Sequence, residues 1–441
     1  MGLDASECEK FVGPMPVDVF LSEFVPEAPS KRPVDGLTFG YSSISGNEDE
    51  FARSFYLCSL SACLSIFQIR AIEASTLCPD LTFTNTTSQA GEPDYKPAIA
   101  VHSRAHLDDA ETSSGSPALP DWRDIQLWIV TRGNDDDFFR SLEEADPEGR
   151  VRWIKSTFET CRQLITCSAC ANAYQFRVFS FSVAFFGDTA RLLRWDRCGV
   201  IYTESFKWAS DPGALIEFLW RFNFLSDVDR GYDTTVTPVE DDEAEAALSK
   251  LRTYGGLENV TRDELRKFLV REDFASDQQT RWYIAPREIC DHDFLFGHST
   301  YGFIAYDVTT ARLVYLKDFW RVDHPEITKE GDVYRELRDA QVPNIARFGR
   351  AGDVPLTTEG ADVLPFAVQR TKTQEYVMGN GGEHTPCYGT LGFVPYIHYR
   401  LVLETLGRPL ETYKSTRQLC EVIGDAIVGK EILSPLPYFS G

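Results

Sequence analysis

The chain has 441 residues, 43% of them hydrophobic and 25% charged, with 44 Lys and Arg against 67 Asp and Glu for a formal net charge of −23. This composition fits a globular protein of about two to four domains. Its acidic field repels phosphate backbones and anionic membranes at long range, so the sequence predicts no nucleic-acid partner and no membrane partner.

The 11 cysteines are odd in number and scattered, and the start Met1-Gly2-Leu3-Asp4 lacks a basic, then apolar leader. The most apolar stretch, Val178 to Phe186, is too short to cross a bilayer. An intracellular protein, cytoplasmic or nuclear, is therefore expected.

In chain order, Phe51 to Ile72 carries Phe, Leu and Ile at helical spacing and predicts a buried helix. Residues 86–119, rich in Ser, Thr, Asp and Pro, predict a flexible insertion. Ile125 to Val130 reads as a strand, Pro147 to Tyr174 as a helix, and Phe176 to Phe186 as a strand. Ala190–Trp195 and Val200–Phe206 predict a hairpin whose turn, Asp196-Arg197-Cys198-Gly199, uses glycine for positive φ. Pro212 opens a helix bearing Leu215, Phe218, Leu219 and Phe222. The acid run Glu240-Asp241-Asp242-Glu243 suits a helix start, and Thr261 with Glu264 forms a capping-box pattern for a second helix. Strands resume near Trp282. The boundaries expected are an N-terminal α/β domain over 1–240, a helical linker over 241–280 and a further domain over 281–441.

That last domain carries a constellation. Gly297-His298-Ser299-Thr300-Tyr301-Gly302-Phe303-Ile304 follows the kinase glycine-loop pattern at Gly297 and Gly302, with Ser299 in place of the second glycine and Ile304 in place of valine. Leu313-Val314-Tyr315-Leu316-Lys317 is an apolar strand ending in the lysine that kinases set against phosphate. Glu330, one turn before the apolar contacts of the next helix, is the expected partner of Lys317, with Glu336 as rival. Arg400 to Glu404 reads as a buried strand, and Thr405 to Leu410 resembles a hinge whose backbone groups at Glu404 and Leu406 would meet an adenine edge.

With Leu192 to Gly199, Phe218 to Phe222, Arg230-Gly231-Tyr232-Asp233 and Leu316 to Arg321, this order resembles the fungal-type protein kinase family over roughly residues 120 to 430. The resemblance implies a Ser/Thr-type kinase using ATP and Mg²⁺. It implies an α+β chain: an N-terminal α/β domain, a kinase N-lobe of antiparallel sheet plus one helix, and the start of a C-lobe. Gly297 and Gly302 would then cover phosphate, Lys317 would hold it, Glu330 would orient Lys317, and Glu404 and Leu406 would take adenine.

Phosphoryl transfer also needs the H-R-D…N loop and D-F-G. None of the seven histidines precedes Arg-Asp, His398-Tyr399-Arg400 lies before the hinge, and Asp293-Phe294-Leu295 precedes the glycine loop and is not D-F-G. No catalytic residue is assigned, and a non-catalytic chain ending after the first C-lobe helix is expected. The alternative is an interaction module that binds a partner through its N-terminal domain or an exposed N-lobe face.

Three other constellations stand out. Asp121, Arg132 and Gln163 loosely match a restriction-endonuclease core, but Val130 stands where an acid is needed and Arg132 where a lysine is. Cys161, Cys167 and Cys170 lack a second ligand pair, so buried thiols are expected there and no metal site is assigned. Arg194, Asp196, Arg197 and Asp233 suggest a structural ion-pair network.

Overall fold

The computed structural model describes residues 7, 10–30, 77–86, 97–104, 121–133, 137–143, 155–208, 210–273, 279–287, 295–357, 363–378, 393–408 and 410–433. The chain is α+β and divides into two compact units. The first comprises Met1–Asp233, Asp291–Gly297 and Thr371–Pro395; the second comprises Thr234–Cys290, His298–Arg370 and Tyr396–Gly441. The expected helix at Phe51–Ile72 lies outside the described residues.

The first unit contains β1 (Phe11–Met15), α1 (Val17–Phe24), β2 (Leu81–Asn85), β3 (Ile99–Ser103), β4 (Ile125–Arg132), α2 (Phe138–Glu143), α3 (Lys155–Tyr174), β5 (Phe179–Phe186), β6 (Thr189–Asp196), β7 (Val200–Thr203) and α4 (Gly213–Asn223). Its sheet runs β1-β7-β6-β5-β4-β3-β2; β1 with β7 and β4 with β5 are parallel, and the other pairs are antiparallel. Both faces are covered, so the strands read as nearly continuous apolar runs. Side-chain alternation sorts them. Phe181, Val183 and Phe185 join α1 and α4 in one core, while Ala184 and Phe186 join α2 and α3 in the other. On α4, Leu215, Phe218, Leu219 and Phe222 form one buried stripe, each worth about 1.5–3 kcal/mol of burial.

Two expectations fail here. Within the supposed insertion 86–119, Ile99–Ser103 is a strand, because Ile99, Ala100 and Val101 are buried between β2 and β4. In the turn 196–199, Gly199 does not hold positive φ. Glycine is needed there for close approach, since a Cβ would lie 2.6 Å from the Lys10 carbonyl oxygen and 2.9 Å from Phe393 Cε1.

The second unit contains β8 (Val236–Thr237), α5 (Asp241–Leu251), β9 (Leu265–Arg271), β10 (Thr280–Pro286), β11 (Tyr301–Asp307), β12 (Arg312–Val322), α6 (Glu330–Asp339), β13 (Phe348–Asp353), β14 (Pro355–Thr357), β15 (Val363–Val368), β16 (Tyr396–Leu403) and α8 (Thr416–Leu433); α7 (Thr373–Met378) belongs to the first unit. The main sheet is antiparallel throughout, in the order β13-β16-β12-β11-β10-β9-β8. Helix α5 packs Ala244, Ala247 and Leu251 against Leu265, Ile284 and Tyr306.

Residues 241–280, expected as a helical linker, hold α5 but also the whole of strand β9. The capping box of Thr261 and Glu264 forms, yet it closes only a single 3₁₀ turn over 262–264. The seven residues after it pair in register with β10 from Leu265↔Pro286 to Arg271↔Thr280, and that ladder overrides the local helix signal. Among the described residues, no helix is long and apolar enough to cross a membrane.

Candidate nucleotide site

The order β10, β11, β12, α6, β13, β16 supplies a glycine segment, a lysine strand, a helix and a hinge strand on one sheet. Gly302 on β11 stands opposite Lys317 on β12. Lys317 Nζ donates to Glu330 Oε2 at 2.6 Å and lies 4.4 Å from the Phe319 ring centroid. Glu336, the rival, is exposed.

Glu330 is held in place by neighbours that sequence reasoning missed. It is the first residue of α6, and the next residue, Gly331, brings the helix start against the sheet. The Gly331 N–H donates to Tyr399 Oη at 3.2 Å, and a Cβ there would lie 2.6 Å from Ala351 Cβ. On the other side, Lys329 Nζ donates to Asp273 at 2.6 Å and to Asp353 at 2.7 Å, and Asp353 also receives both arms of Arg321 at 2.7 and 2.9 Å. Burial alone would lower the Lys329 pKa, but its two carboxylate partners outweigh burial and raise it. Burial alone would raise the Asp353 pKa, but Arg321 and Lys329 hold it below the usual carboxylate value. No motif marks this network, whose bonded pairs are 24 to 80 residues apart.

The far face of β12 carries a second network. Asp318 Oδ1 meets His398 Nε2, Asp318 Oδ2 accepts from Arg400 Nε at 2.7 Å, and His398 Nδ1 faces Gln369 Oε1 at 2.7 Å. Trp320 stacks on His398 with ring centroids 4.7 Å apart. Arg400, fully buried, also donates to Thr235 Oγ1 and to the Leu269 carbonyl, each at 2.7 Å. Burial would raise the Asp318 pKa, but His398 and Arg400 pull it far below the ordinary value. Asp318 and Trp320, which stood out in the sequence beside Lys317, thus serve the sheet's opposite face.

The glycine segment is less like its pattern. Gly297 has φ +89, belongs to the first unit, and donates its N–H to the Arg197 carbonyl at 2.9 Å. Ser299 holds φ +37, the left-handed region that glycine adopts at least cost. His298 is tied to β12: its carbonyl accepts the Trp320 N–H at 2.8 Å, and its Nδ1 lies 2.8 Å from the Trp320 carbonyl. At Gly302, the space a Cβ would need is taken by the Tyr315 hydroxyl, so the bare glycine makes room for that phenol. At the hinge, the Glu404 N–H donates to the Arg347 carbonyl at 2.8 Å, Glu404 is exposed and Leu406 half-buried. The fit to a nucleotide is therefore good at Lys317 and Glu330 and crowded at Gly302.

The other constellations resolve as structure. Arg194 donates to Asp196 Oδ2 at 2.9 Å; Asp196 Oδ1 caps the Cys198 and Gly199 N–H groups, and Oδ2 takes those of Lys372 and Thr373. Cys161, Cys167 and Cys170 are buried and in no disulfide, with Cys170 pushed up to about 12 by burial. Asp121 pairs with its neighbour Arg123 at the surface. Among the described residues, no group of three or more His, Cys, Asp or Glu is placed to hold a metal ion.

A family model described as fungal protein kinase matches residues 154–435, well over half of the chain. No curated protein matches. No solved structure matches either.

Proposed function

We propose ATP binding by the second unit on one premise: the chain belongs to the fungal protein kinase family. The observation that carries the proposal is the 2.6 Å pair between Lys317 on the lysine strand and Glu330 at the start of the packed helix. Kinases require this pairing before the lysine engages phosphate. In this reading Lys317 holds the α and β phosphates, Glu330 fixes the lysine rotamer, and Gly302, opposite Lys317 on the next strand, borders the phosphate path. The Glu404 carbonyl and the Leu406 N–H meet the adenine edge. When bound, ATP with Mg²⁺ supplies the transferable phosphoryl group.

Binding and transfer separate in this chain. Its 441 residues contain no His-Arg-Asp triplet and no Asp-Phe-Gly, so we assign these residues to holding nucleotide and give none of them the transfer step. A second reading, an interaction module, draws on α8, where Val422, Ile423, Ile427 and Val428 are 45–51% exposed.

The test is a melting titration with millimolar ATP and Mg²⁺. Ligand that binds only the folded state stabilises it by RT ln(1 + [L]/Kd). The melting temperature should rise with ATP, and Lys317→Ala should remove the rise while leaving the ligand-free melt within about 2 °C, since an ion pair that is still partly open to solvent adds little stability. No ATP-dependent rise in the wild-type chain would sink the nucleotide reading and favour the interaction module.

A further inference from the structure

Tyr315 is absorbed by no part of the function above, yet it stands in the middle of the proposed site. It lies two residues before Lys317 on β12, so both side chains project from the same face of the sheet. It pairs directly with Leu403, the residue before Glu404, while Lys317 pairs with Leu401. A ligand reaching from the backbone at 404–406 to the Lys317 ammonium must therefore pass along the face from which Tyr315 rises. The phenol does not stand aside: its hydroxyl reaches the neighbouring strand and fills the space over the bare Cα of Gly302. Kinase lysine strands read V-A-I-K, with alanine at this position, whereas here the residues are Val314-Tyr315-Leu316-Lys317.

We infer that Tyr315 is a specificity-determining gate at the base end of the site: with its ring lying across β11 and β12, Lys317 is open to a polyphosphate, while a nucleoside base is admitted only when the phenol rotates away. This inference rests on the nucleotide reading and deepens it. The consequence is quantitative. When only a fraction of molecules is binding-competent, the apparent Kd rises by the inverse of that fraction. The penalty falls on ligands with a base and spares those without one. Tyr334 is part of the same neighbourhood. It lies four residues after Glu330 on α6 and packs against the same buried cluster as Tyr315.

The experiment is isothermal titration calorimetry on the full chain with two probes, Mg²⁺·ATP and Mg²⁺·tripolyphosphate. The wild type, Tyr315→Ala, Tyr315→Phe and Lys317→Ala are compared. The gate predicts that wild type binds ATP no more tightly than tripolyphosphate, because the base contributes nothing while the ring is in place. Tyr315→Ala should tighten ATP by about tenfold and leave tripolyphosphate unchanged. Tyr315→Phe, which keeps the ring, should behave as wild type, and Lys317→Ala should lose both probes. If wild type binds ATP about tenfold more tightly than tripolyphosphate, or Tyr315→Ala does not favour ATP, the gate is overturned and the nucleotide site stands. If neither probe binds any variant, both fall. The comparison of the two probes on wild type decides the matter even if Tyr315→Ala fails to fold.

Discussion

Gly331 is where a single methyl group should separate packing from site geometry. Its N–H reaches Tyr399 Oη, and a Cβ would stand 2.6 Å from Ala351 Cβ, well inside van der Waals contact. The neighbours cannot yield easily: Tyr399 and Ala351 are both fully buried. Gly331→Ala must therefore lift the first turn of α6, and with it Glu330, away from Lys317. Overpacking of this kind costs about 1–3 kcal/mol, which urea unfolding should register, and the ATP-dependent melting rise should fall with it. Gly424→Ala is the control. That glycine lies in α8 with nothing within 4 Å of a built Cβ, so alanine there should stabilise by up to about 1 kcal/mol through helix propensity. A destabilised Gly331→Ala with an intact ATP response would show that Glu330 does not need its present position.

At the scale of elements, β12 and β16 are joined by more than their ladder. Asp318 and Arg400 form a buried ion pair between them, with His398 on the other carboxylate oxygen, and Asp318 is held far below its ordinary pKa against the opposing effect of burial. A depressed carboxylate contributes stability that is complete above its unfolded pKa of about 3.9 and is lost as pH falls through the folded value. Asp353 acts in the same direction. Chain stability should therefore decline as pH drops below about 4. Asp318→Asn should cost about 3–5 kcal/mol near neutrality, because it leaves Arg400 buried without its anion. The gap between wild type and variant should begin to narrow below about pH 4, and urea midpoints measured from about pH 7 down to about pH 3 would show it. A gap independent of pH would mean that the cluster acts through packing alone.

These elements also show what a sequence makes legible. Strands β4, β5 and β6 and helix α4 were readable because apolar spacing alone assigns them, and Lys317 and Glu330 were readable because one strand and one helix set them 13 residues apart. Strand β9 was not, since Thr261 and Glu264 announce a helix locally and only pairing with β10 decides otherwise. The clamp of Lys329, Asp273, Asp353 and Arg321 was invisible for the same reason: each residue looks like an ordinary surface charge until β9 and β13 bring them together.

At the scale of the molecule, neither unit is a continuous stretch of chain. The first unit recruits 291–297 and 371–395 from within what the sequence suggested was a separate domain over 281–441. These late segments are structural members. Leu295 and Phe393 are 2% and 3% exposed, Tyr376 packs its ring 5.2 Å from Phe24, and Arg197 donates to the Leu295 carbonyl at 2.9 Å. The most telling contact is at Asp196, whose Oδ2 accepts the backbone N–H groups of Lys372 and Thr373 at 2.8 and 3.1 Å while also holding buried Arg194. A fragment of residues 1–240 would keep the whole seven-stranded sheet yet lose all of this. Removing Leu295 and Phe393 alone forfeits about 3–6 kcal/mol of burial, a large share of the roughly 5–15 kcal/mol that holds a typical domain together. It also strips two donors from a buried carboxylate. We expect this fragment to lack a cooperative thermal transition by circular dichroism, although local spacing presents it as a complete domain. A fragment that melts cooperatively within about 2 °C of the full chain would show that the recruited segments rest on a sheet already stable without them.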